Sequence, residues 1–285
     1  MDILVTIPHF FNPQGTGKHA SLRQNPTPKI RALSAAITAL QQIVGKNQCA
    51  INIRDRLTVP VNQVSNNQLD IVICTVGEYH LLDQLPIPQT LYQQHKVEVE
   101  PMLLGFECQA ILQANLGKYD YYCFLEDDLI LHDAWFFKKI NWFNQIDSRN
   151  LLQPNRYEIS GQGIMHKAYI DGDMRARATA NFQDIREKYQ ITGKVMGNEV
   201  LFRRCLNPHS GCYFLNAEQM AYWAKQAHFL DRDTSFISPL ESAATLGIMK
   251  TFRIYKPVPE NANFLEIQHA GTAFLSLIGN QVKLD

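Results

Sequence analysis

Residues 119 to 131 read YDYYCFLEDDLIL, a run of aromatic and aliphatic side chains that leads into Glu126, Asp127 and Asp128. The run predicts a buried strand, and the three acids stand at its carboxyl end. Ionised carboxylates are costly to remove from water, and adjacent ones repel each other. The stretch therefore indicates that a positive group, from the protein or from a ligand, lies beside this acidic triplet.

The segments before the triplet alternate between strand and helix patterns. Apolar runs predict strands at 3–7, 50–53 and 69–76, and apolar residues at helical spacing predict helices over 28–44 and 108–116. This alternation predicts an α/β fold with a mostly parallel central sheet and helices on both of its faces. Ligands of such sheets bind beyond the carboxyl ends of the strands, where the triplet stands.

The second half has a different pattern, with a polar stretch between residues 153 and 200. GCYFL at 211–215 predicts a strand, and Asn216 is expected to cap a helix that runs to about Phe229. Ser238-Pro239-Leu240-Glu241 is typical of a capping box, and 251–258 predicts a further strand. We expect one continuous domain over 1–285, with halves at 1–130 and 131–285.

Composition excludes several classes of partner. The 285 residues are 46% hydrophobic, and 27 Lys and Arg balance 27 Asp and Glu, so no global field favours nucleic acid. The six cysteines form no C-x-x-C pair and are expected to be reduced core residues. The start, MDILVTIPHFF, is a poor signal peptide, and no apolar run approaches the ~20 residues of a membrane span. The expected location is cytoplasmic, and peripheral membrane contact stays open.

Carboxylate oxygens at a strand end are typical ligands of Mg²⁺ or Mn²⁺, which complete their shell with water and substrate phosphates. The same acid-x-acid spacing occurs at Asp171/Asp173 and at Asp231/Asp233. We interpret those two pairs as solvated turns, because the first lies in IDGD and the second follows a helix. The triplet is therefore the candidate metal site.

The sequence GKYDYYCFLEDDLIL, with its triplet at a strand end, resembles the D-x-D region of glycosyltransferases of the GT-A fold, some of which have a Glu-Asp-Asp form. GCYFLNAEQM resembles the strand and helix entry on the acceptor side of that fold. Glu241 at a helix start is similar to its catalytic acid, and His269 to an additional metal ligand found in several members. The resemblance implies a Rossmann-like, mostly parallel central sheet with a smaller acceptor-side sheet.

The resemblance also implies a function and a set of site residues. The donor would be a UDP- or GDP-sugar whose diphosphate is bridged by Mn²⁺ or Mg²⁺, and the acceptor a sugar, a lipid-linked molecule or a protein. Asp128 and His269 would bind the metal, and Asp127 or Glu126 would reach the ribose or a metal-bound water. The ends of the first two strands would hold the nucleoside, through Thr6, Pro8, His9, Phe10, Arg54 and Asp55. Arg31 or Lys18 would meet phosphate.

Several alternatives stay open at this point. Glu241 is either a general base for the acceptor hydroxyl or only a helix cap. Residues 156–200 form either a loop that recognises the acceptor or a solvated excursion. The competing functions are a sugar-phosphate nucleotidyltransferase, for which IPHFFNPQGTGKH is a poor signature, and a nucleotide- or sugar-binding protein without catalysis.

Overall fold

The computed structural model describes residues 1–15, 20–22, 24–62, 67–163 and 165–284. In chain order, the strands of these residues are β1 (Asp2–Pro8), β2 (Cys49–Asn52), β3 (Leu57–Pro60), β4 (Gln68–Val76), β5 (Gln93–Val97), β6 (Tyr121–Leu125), β7 (Leu129–Ile130), β8 (Asn150–Leu152), β9 (Asn155–Ile159), β10 (Lys167–Tyr169), β11 (Gln190–Val195), β12 (Asn198–Arg204), β13 (Cys212–Asn216), β14 (Arg253–Pro257) and β15 (Glu266–His269). The helices are α1 (Thr27–Val44), α2 (Leu104–Ala114), α3 (Phe136–Asn144), α4 (Ala217–Trp223), α5 (Pro239–Glu241), a π-helix (Ser242–Leu246) and α6 (Gly247–Thr251).

The central sheet has five strands in the order β13-β6-β1-β4-β5. Strand β1 pairs in parallel with β4 and β6, and β4 pairs in parallel with β5, whereas β13 is antiparallel to β6. The predicted α/β fold with a mostly parallel central sheet is therefore confirmed. Because the chain adds β4 on one side of β1 and β6 on the other, the sheet has a switch point between β1 and β6.

Helices cover both faces of this sheet because side chains of β1 alternate between the two faces. Ile3, Val5 and Ile7 pack with the buried stripe of α1 and with α3. Leu4 packs on the other face with α2, α4 and the helices that follow Pro239. The sheet is thus buried on both sides, as its continuous apolar strands predict.

Residues of the second half build two smaller sheets of four strands each, in the orders β10-β9-β15-β7 and β11-β12-β14-β8. The second half, together with β7 of the first half, therefore has two small sheets, where the resemblance implied one acceptor-side sheet. Parts of the polar stretch 156–200 are paired strands, β9 to β12, whereas most of 170–189 is loop, so the expected loop or excursion is interrupted by strands. Strands β10 and β11 pair with their sequence neighbours β9 and β12, and these two also pair over long range with β15 and β14, which local periodicity does not encode.

The expectation of a second central strand at 50–53 was wrong. In the part of the chain that the structure describes, β2 and β3 pair only with each other, in an exposed hairpin outside the central sheet. Arg54 and Asp55 lie at its turn and bond to each other, with 86% and 38% of their side chains exposed. The apolar side chains of this hairpin are mostly exposed and do not pack on the central sheet. Arg54 and Asp55 therefore do not lie at a carboxyl end of that sheet.

Other local predictions were confirmed in part. Asn216 caps α4 in a capping box with Gln219, but α4 ends at Trp223.

All six cysteines are unpaired, although Cys49 is exposed on the hairpin and does not belong to the core. Within the described residues, none of the helices combines the length and the apolar character that crossing a membrane requires.

Candidate functional site

The acidic triplet lies at the switch point of the central sheet. The loop after β6 starts with Glu126, whose backbone N–H donates to the carbonyl of Gly211 at 2.9 Å. The loop after β1 starts with His9, whose backbone N–H donates to the carbonyl of Cys74 at 2.9 Å. Because β1 and β6 are parallel neighbours, these two loops meet at the same edge of the sheet.

Asp127 is buried between two nitrogen donors. His9 Nδ1 donates to Asp127 Oδ2 at 2.6 Å, and Lys29 Nζ donates to Asp127 Oδ1 at 2.6 Å. The backbone N–H of Leu81 donates to His9 Nε2 at 3.1 Å, which fixes the ring proton on Nδ1. Asp127 is therefore held by the protein itself and has no carboxylate oxygen left without a partner.

Electrostatics follow from this arrangement. Burial acts to raise the pKa of Asp127, but the charge of Lys29 and the hydrogen bond from His9 outweigh it and lower the pKa to about 2. Burial acts to lower the pKa of Lys29, but the charges of Asp127 and Asp128 outweigh it and raise that pKa. Both groups are thus charged near neutral pH. Lys29 is therefore one positive group of the kind that the sequence predicted beside the triplet.

Lys29 was not predicted from the sequence, where Arg31 was the expected phosphate ligand of this helix. Arg31 is exposed on the outer face of α1, whereas Lys29 is largely buried at its first turn. A signal was present, because Lys29 lies four residues before Leu33 and so belongs to the buried stripe of the helix. Lys18, the other predicted phosphate ligand, lies outside the described residues.

Asp128 and His269 are brought together by a short strand pairing. Strand β15 pairs with β7 so that His269 stands opposite Leu129, and the backbone N–H of Ala270 donates to the Asp128 carbonyl at 2.8 Å. His269 Nε2 lies 3.5 Å from Asp128 Oδ2. The two residues that the resemblance implied as metal ligands are therefore neighbours in space.

Glu158 stands behind His269 and fixes its ring. His269 Nδ1 donates to Glu158 Oε1 at 2.9 Å, while Glu158 Oε2 accepts from the backbone N–H groups of Phe274 and Leu275 at 2.9 and 2.7 Å. The other ring nitrogen of His269, Nε2, faces Asp128. This carboxylate–imidazole arrangement is the one that orients metal-binding histidines in proteins. Glu158 lies in the polar stretch 153–200, and its contact with His269 was not predicted from the sequence.

Glu126 is, like Asp127, a buried acid of the triplet. Its carboxylate lies 3.7 Å from Arg156 Nη1 and 3.9 Å from His209 Nε2. Burial is the main factor that raises the pKa of Glu126 to about 8. The charge of Arg156 acts to lower this pKa, and the charges of Asp128, Glu241 and Asp127 act to raise it. The Glu126 pKa and the Asp127 pKa are therefore far apart, although the two acids are adjacent in sequence.

Asp171 forms a buried ion cluster behind Glu126. Arg156 Nη2 and Lys256 Nζ donate to the Asp171 carboxylate at 2.8 and 3.0 Å. Burial alone would raise the pKa of Asp171, but the charges of Lys256 and Arg156 hold that pKa well below its usual range. The interpretation of Asp171 as a solvated turn residue was wrong. Asp231 and Asp233 lie near the surface and pair with Lys250.

A cavity of about 630 Å³ opens beside the triplet. Pro8, Phe10, Lys29, Asp127 and Glu241 are among the residues that line it, and most of the rest of its wall is apolar. Thr6 and His9, also predicted to hold a nucleoside, are buried under this wall, where the Thr6 hydroxyl donates to the Cys123 carbonyl at 3.1 Å. The volume lies in the range of small-molecule sites.

Glu241 does not act as a helix cap. The Ser238 side chain makes no capping hydrogen bond at the start of α5, so the predicted capping box does not form. Glu241 is partly exposed, lines the cavity and precedes the π-helix, a conformation that is frequent at functional sites. Its carboxylate is therefore available to a ligand.

The donor set fits a divalent cation that shares its shell with a ligand. Asp128 Oδ1 is buried and has no hydrogen-bond partner, which is costly unless something positive occupies the site. No group of three or more His, Cys, Asp or Glu side chains in the described parts of the chain is arranged to hold a metal. Asp128 and His269 would supply two ligands, and Mg²⁺ or Mn²⁺ commonly takes few from protein.

Comparison with known protein families gives no match, and comparison with curated proteins gives none either. Among solved structures, the chain is similar to the apo form of mouse xyloside xylosyltransferase 1, with a TM-score of 0.38 and 13% identity over 89% of this chain and 80% of that chain. A likeness at this level carries no argument about activity. The α/β assignment rests on the strands and helices of the chain itself.

Proposed function

We propose that the chain is a metal-dependent glycosyltransferase that moves a sugar from a nucleoside-diphosphate sugar to an acceptor hydroxyl. The observation that carries the proposal is the pairing of Asp128 with His269 at the switch point, with Asp128 Oδ1 buried and unpartnered. This pair would hold Mn²⁺ or Mg²⁺ against the diphosphate. When bound, the ion would neutralise charge on the leaving nucleoside diphosphate.

The protein groups around this pair have separate roles in the proposal. Lys29 bonds to Asp127 through one donor and lines the cavity, so its remaining N–H groups would bind a phosphate oxygen. Pro8 and Phe10 would form the apolar wall against the nucleoside. Glu241 would accept the proton of the attacking hydroxyl. UDP- and GDP-sugars both remain candidates for the donor, and sugars, lipid-linked molecules and proteins for the acceptor.

Titration calorimetry with UDP and GDP, each with and without Mn²⁺, tests the proposal. We expect one nucleotide to bind in a metal-dependent manner, and Asp128→Asn to weaken that binding at least about tenfold, because the amide carries no charge for the ion. Asp120→Asn is the matched control, since Asp120 precedes the amino end of the same strand and is exposed.

Binding that is indifferent to Mn²⁺ and to Asp128→Asn would contradict the proposal. The products separate the competing functions. Release of nucleoside diphosphate from a sugar nucleotide supports transfer, release of pyrophosphate indicates a nucleotidyltransferase, and metal-dependent binding without turnover indicates a protein that only binds.

Replacement of Glu158 by Gln is expected to lower Mn²⁺ affinity about 10- to 100-fold, because His269 loses the carboxylate that orients it. Mn²⁺ binding is measured by electron paramagnetic resonance of the free ion, alongside the thermal midpoint of each variant. Glu266→Gln is the control, since Glu266 lies on the same strand as His269 and pairs with Lys167 at the surface. Equal Mn²⁺ affinity in wild type and Glu158→Gln would exclude this role.

A further inference from the structure

A second cavity, of about 380 Å³, lies among residues of β9, β12 and β14. Its lining includes Asp171 and Lys256 of the buried ion cluster and Arg203 of β12, and it shares no lining residue with the cavity beside the triplet. Tyr169 and Tyr189 contribute aromatic surface. The volume is within the range of small-ligand sites.

The charges of this cavity are not balanced. Among the lining residues, four cations face two carboxylates. Glu126 lies 3.7 Å from one of these cations, Arg156, but does not line the cavity. Asp171, the buried carboxylate, is shared by Arg156 and Lys256. Asp173, the second carboxylate, is exposed. Cations that are shielded from water and have no matching anion are costly, so binding of an anionic ligand would be favourable here.

Arg203 and Arg204 both line the cavity without a paired carboxylate in the described residues, but the Arg204 guanidinium donates to the Glu187 carbonyl and to the Gln183 side chain. Strands β12 and β14 pair so that Arg203 stands directly opposite Lys256, and like charges in this position destabilise a sheet. No carboxylate in the described residues pairs with Arg203, and its Nε is buried without a hydrogen-bond partner. Its guanidinium lies 5.5 Å from the centre of the Tyr189 ring. A stacked guanidinium keeps its donor fork free for an oxyanion.

We propose that this cavity binds a small molecule with a phosphate or carboxylate group, which Arg203 and Lys256 hold. The anion would relieve the repulsion between the two cations, and Tyr169 and Tyr189 would pack against the body of the ligand. The proposal does not depend on the donor site, because it rests on a different cavity.

Calorimetry with phenyl phosphate, benzoate and uncharged phenol tests this site. We expect one or both anions to bind and phenol not to, and the preferred anion identifies phosphate or carboxylate as the group. Arg203→Gln is expected to weaken anion binding at least about tenfold, because a charged hydrogen-bond pair is lost, and Arg203→Lys less. The control is Arg232→Gln, which removes the same charge from a surface pair with Glu107.

Thermal unfolding separates this role from a structural one. Without ligand, Arg203→Gln is expected to leave the midpoint unchanged or to raise it by about 1 to 3 °C, because it removes a like-charge pair. A lower midpoint would show that Arg203 stabilises the fold and would overturn the proposal. Absence of binding by both anions, or equal binding by wild type and Arg203→Gln, would overturn it as well.

Discussion

Asp171→Asn is expected to lower the free energy of unfolding by about 3 to 5 kcal/mol at pH 7, the typical effect of breaking a buried ion pair. The side chain is 3% exposed, and it is the shared partner of Arg156 and Lys256. The amide would leave two buried cations without an anion. Urea denaturation at pH 7 measures the change.

The pH dependence gives a second readout of the same change. The pKa of Asp171 is held below its ordinary value of 3.8 by Lys256 and Arg156, against the effect of burial. A lowered pKa stabilises the fold above pH 3.8, and this contribution is lost as the pH falls through the folded-state pKa. Asp171→Asn should therefore remove that part of the acid sensitivity.

Asp184→Asn is the control for Asp171→Asn. Asp184 is an exposed acid that pairs with Arg186 on the surface, and surface pairs contribute little. We expect no measurable change in its denaturation curve. A similarly small change in Asp171→Asn would mean that water reaches the ion cluster and compensates the two cations.

Glu241→Gln is expected to lower the rate of nucleoside diphosphate release about 10²- to 10⁴-fold, the usual contribution of a general base. This expectation rests on the proposed function, with water as the acceptor in the assay. Glu241 lines the cavity and does not cap its helix, so the amide should cost no helix stability. Nucleotide affinity, measured by calorimetry, should stay unchanged, since Asp128 and Lys29 are intact.

The separation of turnover from binding makes this test specific. A loss of nucleotide affinity in Glu241→Gln would place the carboxylate in donor binding, and an unchanged rate would show that the reaction needs no base at this position. Glu199→Gln serves as the control, because Glu199 is exposed on β12. It should match the wild type in both rate and affinity.

The local sequence pattern was sufficient to predict the strand and the helix that position the site. The apolar run of 119–125 predicted β6, and the triplet after it lies at the carboxyl edge of the sheet as expected. Helix α1 was expected to end at Val44 and does. These features are encoded by periodicity within one segment, because burial of a strand or of one helix face repeats at fixed intervals along the chain.

The sequence alone therefore determined the α/β class and the position of the triplet. Only the tertiary structure decided that residues 50–53 leave the sheet as a hairpin, that Lys29 and not Arg31 meets Asp127, and that Glu158 supports His269. The last two depend on contacts between segments far apart in the chain, and the first depends on β2 pairing with its neighbour β3 and not with the central sheet. Composition and local spacing do not encode which segments contact each other, because these contacts are set by the surfaces that pack together once the chain has folded.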